Sequence, residues 1–238
     1  MKAGEKMLKG EVKPILEYSD ADKERMYVLM KEFYDNVDRK VFNRDFNDKD
    51  YCLTLTHKTE GLVGFTTQKV IALDVNGKTV HGMFSGDTII HKDYWGSMEL
   101  FRIWARFWFD FASRYEEFYW FLICKGHKTY RILPLFWTEF YPRVETPTPE
   151  FEQSILHAYA KLLFPDDYNP VSGVIEYKSI KDKLKEGVAD IGEQQLRNRD
   201  TAYFVERNPG YMRGNDLVCL ARIDKALLKP KVIGLLFK

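Results

Sequence analysis

The spacing of apolar and polar positions changes period along the chain, and each change marks an element. Leu62 to Val75 is rich in Val, Ile, Leu, Phe and Thr, which predicts a long strand. Asn76-Gly77 follows and predicts a tight hairpin turn, because both central residues of such a turn need positive φ. Thr79 to His91 returns as a second strand, and its Gly82 and Gly86 mark places for a bulge or a close backbone approach. The pattern breaks at Trp95-Gly96-Ser97. From Glu99 to Arg114 the charged residues recur at spacings of three and four, so they form one stripe on an otherwise apolar helix. Phe118 to Cys124 is continuously apolar, as expected of a strand buried on both faces.

The flanking segments are read in the same way. Residues 1–11 are polar and predict a frayed tail. Val12 to Tyr18 predicts a first strand, placed near an edge by Pro14. Ser19-Asp20-Ala21-Asp22 is an N-cap cluster for a helix to about Val37. Asp38 to Asp50 reads as a loop or short helix over a cleft, and Cys52 to Thr56 as a short strand. Beyond the central helix, Thr129 to Tyr141 and Phe151 to Phe164 predict helices, with a Pro-rich linker between them. Val174 to Tyr177, Tyr203 to Glu206 and Asp216 to Ile223 predict further strands, and Lys181 to Arg199 a weak helix. The apolar tail, Val232 to Phe237, must dock on this chain or on another. The sum is an α/β protein whose central hairpin is antiparallel. A core over 12–145 is followed by an extension over 146–238, together one domain.

Composition narrows the function. The chain has 238 residues, 45% of them hydrophobic and 15% aromatic, with a formal net charge of +1. A near-neutral chain with dispersed Lys and Arg offers no field for nucleic acid. No apolar run is long enough for a membrane span, and the start lacks a signal-peptide core. Cys52, Cys124 and Cys219 lack metal-ligand spacing, and their odd number argues against a disulfide framework. The expectation is a cytoplasmic protein with no metal. A strand that bulges and runs through a short loop into a buried helix suits anion binding, since the first helical N–H groups lack partners. An ordinary β-α corner has the same pattern.

This order of elements, with Met83-Phe84-Ser85-Gly86-Asp87-Thr88-Ile89-Ile90-His91-Lys92-Asp93-Tyr94-Trp95-Gly96 at its centre, resembles the GNAT superfamily of acyl-CoA-dependent N-acyltransferases. The resemblance covers residues 12–141. It implies a mixed, mostly antiparallel sheet with a splayed central strand pair flanked by helices, completed by a C-terminal α/β extension. It implies a donor, acyl-CoA or acyl-phosphopantetheine on an acyl carrier protein, whose pantetheine arm pairs with the bulged strand. Ser85, Gly86, Thr88, Ile89 and Ile90 would contact that arm, and Trp95, Gly96 and Ser97 would form the pyrophosphate loop. The loop departs from the family pattern: Met98 and Leu100 stand where small residues are expected. Branches that use acyl carrier protein, the N-acyl amino acid synthases among them, tolerate such a change. The aromatic load suits an acyl tunnel for a long chain, and equally suits core packing.

Amide formation from a thioester needs a neutral amine, a polarised carbonyl and a proton for the leaving thiolate. Asp87 on the bulged strand is the candidate base; the alternative is a solvated carboxylate or a partner of Arg102. His91, at the strand end, is a second candidate base or phosphate ligand, or a surface cap. Tyr130, by resemblance, is the candidate acid, or a core aromatic. Lys125, His127 and Lys128 would grip a phosphate or an acidic carrier, or form a solvated turn. The expected activity is N-acyl transfer to an amine, against a non-catalytic acyl-ligand or protein-binding module. A homodimer is compatible with the extension.

Overall fold

A computed structural model describes residues 7–237. Strands β1 (Leu8–Pro14), β3 (Tyr51–His57), β4 (Gly61–Val75), β5 (Lys78–Ile90), β6 (Phe118–Cys124), β7 (Tyr168–Asn169), β8 (Val174–Ile175) and β10 (Asp216–Arg222) form one sheet; β2 (Tyr34–Asp35) and β9 (Lys183–Leu184) pair separately. The helices are α1 (Asp20–Phe33), α2 (Arg39–Asn47), α3 (Glu99–Ala112), α4 (His127–Tyr130), α5 (Ile132–Phe136), α6 (Glu150–Leu163), α7 (Glu193–Leu196), α8 (Arg199–Arg207) and α9 (Pro230–Leu236). The eight-stranded sheet runs β1-β3-β4-β5-β6-β10-β8-β7, and among the described residues only β5 and β6 are parallel. The expected mixed α/β fold with a mostly antiparallel sheet is therefore present.

The hairpin forms as the sequence requires: Asn76 and Gly77 have φ of 55° and 78°. One sheet face packs against α3, α5, α8 and α9 through Leu53, Met83, Trp108, Trp120, Leu122 and Leu236. The other face packs against α6 beside Phe84 and Phe121, and against α1 and α2 beside Phe65 and Ile89. The apolar tail docks on this chain, where Val232 and Leu236 are buried and Phe237 meets Phe109 edge-on at 5.3 Å.

Several expected elements differ. The first strand lies at 8–14, not 12–18, and pairs along its length with β3; of the expected tail, residues 1–6 lie outside the described residues. The chain leaves the strand at Pro14 into a tight turn over Ile15–Glu17. Tyr203 to Glu206 is helical rather than extended. Asn198 caps that helix by accepting from Thr201 N at 3.1 Å, and Phe204 is driven fully inside against Tyr130. The helix expected to reach Tyr141 ends at Phe136; Trp137 and Tyr141 instead bridge to Leu228 and Leu220. Lys181 to Arg199 is mostly not helical: its first part pairs through β9 with β2.

Candidate active site

β5 and β6 pair in parallel from His81/Phe118 to Ser85/Leu122 and no further. Beyond that point β5 stays with β4 and β6 stays with β10, so a cleft opens through the sheet. Gly82 permits the close crossing below it, since a Cβ there would collide with the Tyr119 carbonyl and come 2.8 Å from the Phe121 ring.

The register of β4 against β5 shifts between Thr66 and Gln68, opposite Gly86 and Asp87. This is a bulge, and it reverses the alternation of side chains. Met83 faces the α3 side and Phe84 the α6 side; beyond the bulge, odd-numbered Ile89 faces the α1 side and Ile90 the α3 side. Asp87, which shares Ile89's parity, is turned away from the apolar face. Gly86 leaves the bulge closely packed: a Cβ would lie 2.6 Å from Thr67 Oγ1 and 2.9 Å from Lys49 Cε.

The cleft has a volume of about 270 Å³ and two unlike halves. On the α3 side its wall is Leu100, Phe101, Trp104, Ile132, Phe136 and Leu236. On the other side stand Tyr34, Tyr177, five carboxylates (Asp45, Asp48, Asp87, Asp182, Asp216) and three ammonium groups (Lys49, Lys125, Lys181). Burial, followed by repulsion from Asp182, pushes the Asp87 carboxyl up to about 6, although Lys49 and Lys181 oppose this. Burial pulls the Lys49 ammonium down against the attraction of Asp87. Burial also acts against the Lys125 charge, but Asp216 and Asp182 more than offset it, and its pKa is raised.

A hydrogen-bond chain runs across β6, β5 and β4 beside the cleft. Trp120 Nε1 donates to Ser85 Oγ at 2.7 Å, Ser85 Oγ donates to Gln68 Oε1 at 2.9 Å, and Gln68 Nε2 donates to Thr66 Oγ1 at 2.8 Å. Thr66 and Thr88 hydroxyls meet at 2.7 Å.

A strap closes one side of the opening. β9 pairs with β2 at the end of α1, and Lys185 Nζ donates to Lys31 O at 2.7 Å. From the opposite wall, Lys125 Nζ lies 3.0 Å from Asp182 Oδ2, and Lys128 Nζ donates to Val188 O at 2.5 Å.

Of the residues predicted from sequence, Ser85, Gly86, Asp87, Thr88 and Lys125 line the cleft. Asp87 is not Arg102's partner; Arg102 binds Glu99 and the Leu235 carbonyl. Lys125 is committed to Asp182 and Asp216 and is not available to grip phosphate. Tyr130 does not reach the cleft: it is fully buried and its hydroxyl donates to Pro142 O at 3.0 Å. His91 also stands outside the lining, between Glu32 and Asp93, and its Nδ1 accepts from Asp93 N. The Ile89 side chain is in the core against α1, and Ile90 packs toward α3, so neither side chain lines the opening.

Trp95 and Ser97, in the loop before α3, spend their N–H groups within that loop. Tyr94 N, Trp95 N and Ser97 N donate to the carbonyls of His91, Lys92 and Tyr94, and Glu99 N donates to Ser97 Oγ. Trp95 is 47% exposed, and its indole N–H donates to Ile90 O. Glu99 puts a carboxylate in the first turn of α3, where the helix dipole would otherwise favour a ligand anion.

Sequence reasoning missed Tyr34, Lys49, Tyr177, Lys181, Asp182 and Asp216. Asp216 heads a strand in which the run Leu217 to Ala221 is hydrophobic, and an acid there is the one signal available from sequence.

No protein-family model matches the chain, and no curated protein matches it. Solved structures similar to it include a conserved protein of unknown function from Enterococcus faecalis, described as a probable N-acyltransferase. That protein is 13% identical with a TM-score of 0.41, and the match covers 56% of this chain and 33% of that one. Arabidopsis thaliana NAA60 in complex with acetyl-CoA is 13% identical over 52% of this chain and 83% of that one, with a TM-score of 0.38. The Escherichia coli GNAT family N-acetyltransferase YhbS in complex with CoA is 12% identical over 50% of this chain and 64% of that one, with a TM-score of 0.36. The chain thus spans about a third of the length of the first of these.

Proposed function

We propose that the protein is an N-acyltransferase that moves an acyl group from a thioester donor to an amine by direct attack. The observation that carries this reading is the bulge at Gly86–Asp87, set where β5 and β6 part. It offers an unpaired strand edge to an extended donor arm and puts a carboxyl of raised pKa beside it. The amine nitrogen would form the new C–N bond as the C–S bond breaks. Asp87 would take the amine proton, and the sulfur would leave as a thiolate that is then protonated. Thr88, on the cleft lining, and the strand N–H groups would polarise the thioester carbonyl. Tyr34, on the cleft wall, replaces Tyr130 as the candidate proton donor to the thiolate.

The apolar half of the cleft would take the acyl chain, which favours a long-chain donor. The loop N–H groups already spent within the loop, and Glu99, favour a phosphopantetheine arm on an acyl carrier protein over the whole CoA nucleotide. The same two features favour the second reading, a non-catalytic acyl-ligand module.

Native mass spectrometry with acetyl-CoA, a long-chain acyl-CoA and the same chain on an acyl carrier protein tests the reading. A thioester donor should bind, and Gly86→Trp should abolish its binding. In the presence of an amine, wild type should release free thiol and Asp87→Asn should not. Binding without thiol release for any amine would leave the second reading, and no binding would sink both.

A further inference from the structure

A second cavity, of about 100 Å³, lies between α6, the β7–β8 turn and the end of α8, and it shares no lining residue with the cleft. Gln153 and His157 of α6, Tyr168, Val171 and Gly173 at the turn, and Arg207 of α8 stand on its wall. That volume is several times what one ordered water needs. Among the described residues no carboxylate lines the cavity, and Arg207 has no ion-pair partner. Glu176, which shares Ser172 with Arg207, is exposed and accepts from Asn169 Nδ2 at 3.0 Å and from Ser172 Oγ at 3.1 Å. The C-terminal end of α8 offsets only part of the Arg207 charge.

The wall also carries donors that lack acceptors. Arg207 has five N–H groups. One, on Nη2, reaches Ser172 O at 3.0 Å, and Nε is buried with no hydrogen-bond partner among the described residues. Gln153 Nε2 lies 3.0 Å from His157 Nε2, and His157 Nδ1 lies 2.7 Å from the Tyr168 hydroxyl. An amide nitrogen donates, so His157 accepts at Nε2 and donates from Nδ1 to the Tyr168 oxygen. The Tyr168 O–H is then a donor with no acceptor among the described residues. Burial holds the His157 pKa below its ordinary value, which keeps the ring in the neutral form that this pattern needs. A partly buried cation beside unmatched donors costs free energy, which an anion brought by a ligand recovers.

We infer that this cavity is a second binding site, for a small monocarboxylic acid, with its carboxylate on Arg207 and the Tyr168 hydroxyl and its short alkyl end against Leu156, Pro170 and Val171. The planar guanidinium matches a carboxylate through two parallel N–H···O bonds. One cation balances one negative charge, whereas a phosphate dianion would leave a charge unmatched. The apolar part of the lining, which phosphate has no use for, suits an alkyl group. The site is independent of the acyl-transfer reading and stands or falls without it.

The test is a titration of the isotope-labelled full chain with propanoate, propanol and inorganic phosphate in chloride-free buffer, followed by amide NMR shifts. Propanoate should move the amides of Val171, Gly173 and Arg207. It should bind at least about tenfold tighter than propanol, the scale of one charge-assisted hydrogen bond, and tighter than phosphate. Arg207→Gln should weaken propanoate binding by about tenfold or more. Arg207→Lys, which keeps the charge and loses the fork, should weaken it severalfold. Tyr168→Phe should also weaken it severalfold, and it leaves the bond from Arg207 to Ser172 in place. No propanoate binding, equal binding of propanoate and propanol, tighter binding of phosphate, shifts confined to the cleft, or wild-type affinity in Arg207→Gln would overturn the inference.

Discussion

Ser85 and Leu122 are the last residues at which β5 and β6 pair, and the next residue of β5, Gly86, begins a bulge. The site thus arises from two local interruptions in series. Parting of the strands opens the cleft, and the bulge turns Asp87 toward its acid-rich side. With an unbroken register, Asp87 would share the parity of Met83 and Ser85 and enter the apolar half.

The two glycines of β5 should therefore fail in different ways. Gly82→Ala meets the Tyr119 backbone carbonyl and the Phe121 ring, neither of which can retreat without parting the strands. It should cost about 1–3 kcal/mol of stability, read from the shift of the urea midpoint. Gly86→Ala meets Thr67 Oγ1 and Lys49 Cε, both side-chain atoms rather than backbone. It should leave the midpoint within about 1 kcal/mol of wild type and weaken donor binding instead.

The Asp87 carboxyl must be ionised to accept a proton, and its pKa is raised to about 6. Transfer should therefore fall as pH drops through about 6 and level off above it. Asp87→Asn should lower kcat by about two orders of magnitude or more at pH 8 and keep donor binding. Stability has the opposite sign. A carboxyl whose folded pKa exceeds its unfolded value favours folding at low pH and disfavours it as pH rises. Wild type should lose up to about 3 kcal/mol relative to Asp87→Asn between pH 4 and pH 6, measured by urea titration across that range.

How far the sequence carried the fold can be traced at particular residues. The hairpin, the bulge glycine, the buried β6 and Asp87 were all legible, because turn chemistry, glycine placement and an acid within an apolar strand are local signals. The helical state of Tyr203 to Glu206 was not. Its β-branched and aromatic residues favour a strand, and the Asn198 cap and the burial of Phe204 override them. Tyr130 failed as an acid for a similar reason: the helix expected to continue past it breaks, and its hydroxyl turns to Pro142. The acid-rich wall was illegible because Asp45, Asp182 and Asp216 come from three distant segments that meet only in the folded chain.

The loop before α3 yields a prediction about the donor. Its N–H groups at Asp93, Tyr94, Trp95, Ser97 and Glu99 are spent within the loop, and Glu99 carries negative charge into the first turn. A pyrophosphate would gain less there than at a loop whose N–H groups are all unspent. Acyl-CoA and the matching acyl-phosphopantetheine should be used with kcat/KM values within about threefold of each other, a difference under 1 kcal/mol. A preference for CoA of a hundredfold or more, in competition kinetics, would show that the nucleotide has a site elsewhere.

The apolar half of the cleft sets the last expectation, chain length. Its far wall includes Leu236 on α9, held against α3 by the bond from Arg102 Nε to Leu235 O at 3.1 Å. Ile132 and Phe136 stand on the neighbouring wall and are incompletely buried, so a larger side chain has space to project into the cleft. Ile132→Trp should fill that half without opening a cavity. It should reduce kcat/KM for a long-chain donor by about tenfold or more and leave an acetyl donor within about twofold, since each buried methylene is worth roughly 0.8 kcal/mol. Equal loss for both donors would place the acyl chain outside this half of the cleft.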